Sequence, residues 1–342
     1  MNLQQIKEKL HQEEYDFLRN NPNLDSNIML LGLGGSHARG TATKDSDIDI
    51  RGIAFNSKSD ILLGTDFNQV TDKKTDTTIY SFNKMLDLLT NSNPNVIELL
   101  GLKPEHYLYC TDIGKMLIDN RKMFLSKVCI YTFEGQAHGQ LRRMENKAAR
   151  VADQKKQEEN ILKSIQDAKY SFKDRYFTHP DDAIELYIDE SQQKDYDTEI
   201  FMNIHLSHYP LRDWAGMWNE MKSIINSYSK IGKRNKNAIE HDKLGKHMMC
   251  FVDLYIKCID ILEKEDIITY REAEHDLLMS IRNGEYLDSN KQPIPEFYEL
   301  VDEYEKRLEY AKEHTSLPDV PDRKRIEEFK MYVNERIVRG DV

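Results

Sequence analysis

The sequence predicts an α+β protein, a small mixed β-sheet with flanking helices followed by a mainly helical C-terminal domain. Three observations carry that expectation. Apolar and β-branched runs of strand length crowd into the first 110 or so residues. Beyond them apolar residues step by three and four, most clearly at Leu244, Met248, Val252, Tyr255, Ile259 and Leu262. No repeat, low-complexity tract or Gly/Ser linker interrupts the chain. Its 342 residues suit about two domains of roughly 100–200 residues each. The expected division is 1–125 and 126–342, with the segment near 178–235 unassigned.

Taken in order, residues 4–19 carry Ile6, Leu10, Tyr15 and Leu18 at roughly helical spacing, ending before Asn21-Pro22. An apolar strand over 28–33 runs into the turn Gly34-Gly35-Ser36, then a polar segment, then a second strand bearing Asp47 and Asp49. A brief element is expected at 60–63. Residues 75–82, TDTTIYSF, read as a third strand with Asp76 at its start. Helices follow over 83–89 and 95–100, the second capped by Asn93 or Asn95. The remaining spacing predicts helices over 115–123, 126–174, 211–229, 244–263, 270–283, 294–314 and 323–338.

Composition narrows the class. Hydrophobic residues make up 39% and charged residues 31%, as in a soluble globular chain. A net charge of −11 argues against a sequence-blind nucleic-acid coat while leaving room for a local basic channel. The cysteines Cys110, Cys129, Cys250 and Cys258 form no CxxC pair, which points to buried, reduced thiols rather than a zinc site. The first 18 residues lack the apolar stretch of a signal peptide, and no apolar run reaches the ~20 residues of a membrane helix. A cytoplasmic protein is expected.

The chemistry concentrates in LLGLGGSHARGTATKDSDIDIRGIAF, residues 30–55. Gly35 lets the backbone turn sharply and approach a phosphate, and Ser36 opens a helix whose N–H groups suit an anion. On a strand, Asp47 and Asp49 at i and i+2 share a face and offer hard oxygen ligands for Mg²⁺. Two ions about 3.5–4 Å apart can bridge such a pair. Asp76 supplies a third carboxylate, as ligand and as base on an incoming hydroxyl. Arg39, Lys44 and Ser46 lie in the polar segment, positioned to neutralise or donate to phosphate. The competing reading is a plain turn beside a solvated strand start, but alternating acids within an apolar strand need another reason.

At these residues the chain resembles the nucleotidyltransferase superfamily typified by DNA polymerase β: Gly34, then Gly35-Ser36, ten residues, Asp47-Ile48-Asp49, and Asp76 on a later strand. A closer resemblance is to a predicted nucleotidyltransferase family with bacterial and phage members, some encoded beside RNA ligases. It rests on Asn93-Pro94-Asn95-Val96-Ile97-Glu98-Leu99-Leu100, on Ala137-His138-Gly139-Gln140-Leu141 and on Lys246-His247-Met248-Met249. The likeness covers roughly residues 28–150 and 240–335, and the region around 178–235 departs from it. It implies a nucleotidyltransferase core and transfer of a nucleoside monophosphate from an NTP, ATP included, to an acceptor hydroxyl. Pyrophosphate is released, and two Mg²⁺, with Mn²⁺ as an alternative ion, sit on Asp47, Asp49 and Asp76. Nucleotide contacts are expected from Gly35, Ser36, Arg39, Lys44, Ser46, His138, Gln140, Arg143 and Lys246.

The RNA or tRNA 3′ end leads the expected acceptors, ahead of a protein side chain or a small molecule. A catalytically idle nucleotide-binding module, regulatory or part of a toxin–antitoxin pair, is the alternative from another class. The basic run 230–237 suggests an RNA contact or a solvated loop. His205 and His208 have ligand spacing without further ligands, and the His241-Asp242 and His275-Asp276 pairs lack the partners of a phosphohydrolase.

Overall fold

The computed structural model describes residues 3–151, 159, 162–163, 183–190, 198–228, 244–289 and 291–342. Two compact units emerge. One joins Met1–Ala137 with Phe251–Met279 and Glu299–Val342, and the other joins His138–Cys250 with Ser280–Tyr298. Much of the chain beyond residue 125 therefore folds with the N-terminal part.

The first unit holds a five-stranded mixed sheet in the order β3-β4-β2-β1-β5. The strands are β1 (Ile28–Leu33), β2 (Ile50–Ala54), β3 (Gln69–Asp72), β4 (Thr77–Ser81) and β5 (Tyr107–Cys110). Only β2 and β4 run parallel, with Ile50 opposite Thr77; the other pairings are antiparallel. All six residues of β1 are buried, so it reads as an unbroken apolar run. Tyr15, Leu18, Leu24, Ile28, Leu31, Ile50, Ala54 and Ile79 form one core cluster.

Helices α1 (Leu3–Lys9), α2 (Phe17–Asn20), α3 (Gly35–Arg39), α4 (Lys58–Leu63), α5 (Phe82–Thr90), α6 (Pro94–Ile97), α7 (Asp112–Asp119) and α8 (Val128–Val151) follow in chain order. The helix expected over 4–19 is broken, because Arg19 Nη1 donates to the Leu10 carbonyl at 2.9 Å and stitches a bend between α1 and α2. Ser57 and Asp60 form a capping box at α4. Ser81 Oγ accepts from the Lys84 N–H to start α5, which buries Phe82, Met85, Leu86 and Leu89. Asn93 caps α6 with Pro94 at its first position. Strands β3 and β5 were not expected: both are edge strands of four residues whose side chains stay partly or fully exposed, so neither shows an apolar alternation.

The second unit contains a hairpin of β6 (Ile184–Glu190) and β7 (Thr198–Ile204), paired from Ile184–Ile204 to Glu190–Thr198. It supplies strands in the segment that the sequence left unassigned. Tyr187 and Phe201 stack across it at 5.9 Å, a cross-strand aromatic pair. On the helix Leu211–Tyr228, Trp214 and Trp218 stack at 6.1 Å. The long helix Leu244–Lys264 matches its apolar period. Among the described residues no helix is long and apolar enough to cross a membrane. The basic run 230–237 and the His241-Asp242 pair lie outside the described residues.

Candidate active site

Strand β1 ends in a turn that folds directly over the acids. Gly34 N–H donates to the Asp49 carbonyl at 2.8 Å, and Gly35 opens α3 with a φ of 56°. A Cβ built on Gly35 would lie 1.7 Å from Asp49 Oδ2, so only glycine allows this approach. Replacing Gly35 with alanine is expected to destabilise the fold by about 1–2 kcal/mol through the left-handed backbone alone, and to displace Asp49. Urea unfolding and turnover measured on one preparation check both effects. The first N–H groups of α3 lie outside the helical ladder and are available to an anion.

The acids are placed differently from the expectation. Strand β2 begins at Ile50, so Asp47 and Asp49 precede it. The Gly34 N–H bond to the Asp49 carbonyl continues the antiparallel register of Leu33 with Ile50, so Asp49 lies one step before the strand and Asp47 in the loop that approaches it. Asp76 also precedes its strand, in a left-handed conformation at φ 46°. The parallel register of Ile50 with Thr77 puts Asp49 and Asp76 one step upstream on neighbouring strands, and the Ile50 N–H reaches the Asp76 carbonyl at 3.4 Å.

Arg51 ties them together. Its Nη2 lies 3.7 Å from Asp49 Oδ1 and 3.5 Å from Asp76 Oδ1, while Nη1 donates to the Asp76 carbonyl at 2.6 Å. Two carboxylates thus already share one cation. Among the described residues no three His, Cys, Asp or Glu side chains converge into a metal cage. Hard carboxylate oxygens around a cationic position still suit Mg²⁺, which takes one or two carboxylates and fills its octahedron from water and substrate phosphate. Arg51→Met is expected to loosen the start of the β2–β4 pair by about 1–2 kcal/mol, readable as faster amide exchange at Ile50.

A cavity of about 650 Å³ opens beside these groups. Asp47 and Asp76 line it with Thr43, Lys44, Ser46, Tyr15 and the lysines Lys9, Lys73 and Lys74. Ser46 Oγ accepts the Thr43 N–H at 2.9 Å, which shapes the polar loop. Burial first, then Glu14, pushes the Tyr15 hydroxyl up to about 12, so it faces the cavity neutral.

Arg39 departs from its expected role as a phosphate contact. Its guanidinium is taken by Glu98 at 3.1 Å and Asp253 at 3.0 Å. Lys257 joins the same two acids at 2.5 and 2.7 Å, and buried Arg271 reaches Asp253 at 3.2 Å and also pairs with Asp260. Four cations (Arg39, Lys257, Arg271 and, more exposed, Lys264) therefore pair with three acids (Glu98, Asp253, Asp260). The cluster grips the far end of α3: Arg271 N–H donates to the Arg39 carbonyl at 3.0 Å, and the Tyr270 ring fills the space a Cβ on Gly40 would need. Sequence reading missed this group, although Asp253 and Lys257 at i, i+4 inside the apolar run of the strongest helix were a legible signal.

The remaining expected nucleotide contacts belong to the second unit. Gln140 Oε1 and His247 Nδ1 are 3.4 Å apart, and Lys246 is exposed near the start of its helix. His138 and Arg143 fall on α8, with their side chains outside the described set.

Residues 2–165 match the model of RlaP, the RNA repair pathway DNA polymerase beta family. No curated protein and no solved structure matches the chain.

Proposed function

We propose that this protein transfers a nucleoside monophosphate from an NTP to the 3′ hydroxyl of an RNA, a reading supported by the match of residues 2–165 to the model of an RNA repair pathway DNA polymerase beta family. One observation supports this above the others. A glycine turn that no larger residue could form presses on Asp49, and Arg51 links Asp49 to Asp76, which lines a cavity.

In this reading the amides of Gly35 and Ser36, with the Ser36 hydroxyl, hold the terminal phosphates of the donor, and Lys44 and Ser46 neutralise and orient them. Asp47 and Asp49 would hold Mg²⁺, with Asp76 closing the set. When bound, the metal stabilises charge on the attacking and leaving oxygens. Asp76, largely exposed at the cavity, accepts the proton of the acceptor hydroxyl. The freed oxygen forms its bond to the α-phosphorus as the bond to pyrophosphate breaks, and pyrophosphate carries away the electron pair. Arg51 keeps Asp76 and Asp49 in register through that step.

Incubation with each α-labelled NTP, Mg²⁺ and total cellular RNA or lysate tests the proposal. Label appearing at RNA 3′ ends, sensitive to ribonuclease and accompanied by pyrophosphate release, is the expected result. Label on protein or on a small molecule would reassign the acceptor. NTP binding without turnover on any acceptor would favour an idle nucleotide-binding module.

A further inference from the structure

The cavity beside Asp76 has a wall that donor binding does not use. Its lining includes Lys9, Lys44, Lys73 and Lys74 against Glu14, Asp47 and Asp76. Lys9 is already paired with Glu14 at 2.8 Å. Among the described residues Lys44, Lys73 and Lys74 take part in no salt bridge, although the Lys74 charge acts on neighbouring Asp72, so three cations line the cavity. Such a concentration is notable in a chain of net charge −11, where the general field repels any polyanion. Lys44 stands in the loop that leads from the glycine turn to Asp47. Lys73 and Lys74 stand apart, at the tip between β3 and β4.

That tip is built rather than loose. Asp72 Oδ2 accepts the N–H groups of Lys74 at 3.0 Å and Thr75 at 2.9 Å, and the Thr75 hydroxyl at 3.0 Å. Thr75 is buried and bonds on to Thr77 at 2.9 Å. Both lysines are exposed while the residues on either side of them are held. Asp76, which follows directly, is locked by its left-handed backbone and by Arg51. The Lys74 Cα therefore lies within about 7 Å of the Asp76 Cα, and that of Lys73 within about 11 Å. A base with two cations two and three residues away suits a nucleotide strand, whose terminal hydroxyl precedes a regular series of phosphates.

Building on the reading of the site as a nucleotidyltransferase centre, we propose that Lys73 and Lys74 hold the last backbone phosphates of the acceptor RNA strand and so present its 3′ hydroxyl to Asp76. The β3–β4 tip is then the acceptor platform and the glycine turn the donor platform, on opposite sides of the acids. Recognition by phosphate alone makes this contact indifferent to sequence and strongly dependent on salt.

The test uses the full chain and a 5′-fluorescent single-stranded RNA with a free 3′ hydroxyl. Anisotropy titrations across a salt series compare the wild type with K73Q/K74Q and with the charge reversal K73E/K74E. Two lost phosphate contacts should weaken binding about tenfold or more at moderate salt and make the log–log salt slope shallower by about 1.4. The KM for RNA should rise with the dissociation constant. K324Q, at an exposed lysine of the last helix outside the cavity lining, is the control for general loss of charge. Equal RNA affinity and slope in wild type and K73Q/K74Q would overturn the proposal. A rise confined to the KM for NTP would overturn it as well, by moving the lysines to the donor. If the wild type releases no pyrophosphate yet binds RNA through these lysines, the catalytic reading fails while the contact stands. If turnover on RNA is intact but indifferent to both variants, the catalytic reading stands and the contact falls. Circular dichroism of each variant separates loss of binding from loss of fold.

Discussion

Asp49→Asn is expected to lower Mg²⁺-dependent pyrophosphate release by about 10²–10³-fold, the scale of a lost preorganised electrostatic contact at a reacting centre. The substitution preserves shape and removes one charge. Its structural effect should be small, because the Asp49–Arg51 contact is 3.7 Å long and only partly buried, in the range worth at most about 1 kcal/mol. Urea midpoints within experimental scatter of the wild type, together with lost turnover, would separate chemistry from folding. Turnover that survives the change would remove Asp49 from the reaction and with it the proposed metal pair. Asp47→Asn should behave alike, whereas Asp76→Asn should lower the rate on RNA more than it weakens NTP binding, since its part is with the acceptor.

The largest effect on stability should come from Asp253→Ala. It strips a buried carboxylate from contact with Arg39, Lys257 and Arg271. Breaking a buried pair on one side leaves the partner charges uncompensated and costs about 3–5 kcal/mol. Chemical denaturation measures it, and a change under 1 kcal/mol would contradict the role given to the cluster. Activity should fall with it, since the same group anchors Arg39 at the end of α3.

The cluster also sets a pH dependence. Burial by itself raises the Asp253 and Glu98 carboxyl groups, but the cations overrule it: Lys257 foremost for Asp253 and Arg39 foremost for Glu98, so both sit below the usual carboxylate range. A folded-state pKa below the unfolded value, about 3.9 for Asp and 4.3 for Glu, adds stability that is complete above those values. It is lost as pH falls through the folded-state pKa. Stability should therefore hold from neutrality to about pH 5 and then drop steeply below pH 4. In Asp253→Ala that acid limb should flatten, as followed by urea midpoints between pH 3 and pH 7.

Much of the donor side was legible in the sequence because it depends on local backbone chemistry. A six-residue apolar run became β1, Gly35 became the position with no room for a Cβ, and Asp76 fell immediately before β4. Asn93 and Pro94 announced the start of α6. The α+β class, with a mixed sheet and a mainly helical remainder, follows from the same signals. Where the sequence reading departed from the structure, a contact distant in the chain was responsible. Arg39 was expected at a phosphate, but Glu98 and Asp253 take its guanidinium. Arg51 drew no notice because its partners lie on the approach to its own strand and on the approach to β4. The edge strands β3 and β5 carry their pairing in backbone hydrogen bonds rather than in an apolar pattern.

By itself, then, the sequence determined the chemistry available: a glycine turn, three acids, a family likeness in the first half of the chain, and the class of fold that holds them. Each of those is written in residue type and short spacing, where backbone sterics and hydrogen-bonding rules act within a few positions. Only the tertiary structure decided which charges face the cavity and which are neutralised within the protein. Pairing of that kind depends on distances between residues far apart in sequence, such as the 3.0 Å from Arg39 to Asp253, and burial makes it decisive because an unpaired charge cannot remain in the core. That is why Arg39 supports the site from behind while Lys73 and Lys74 stand at its open side.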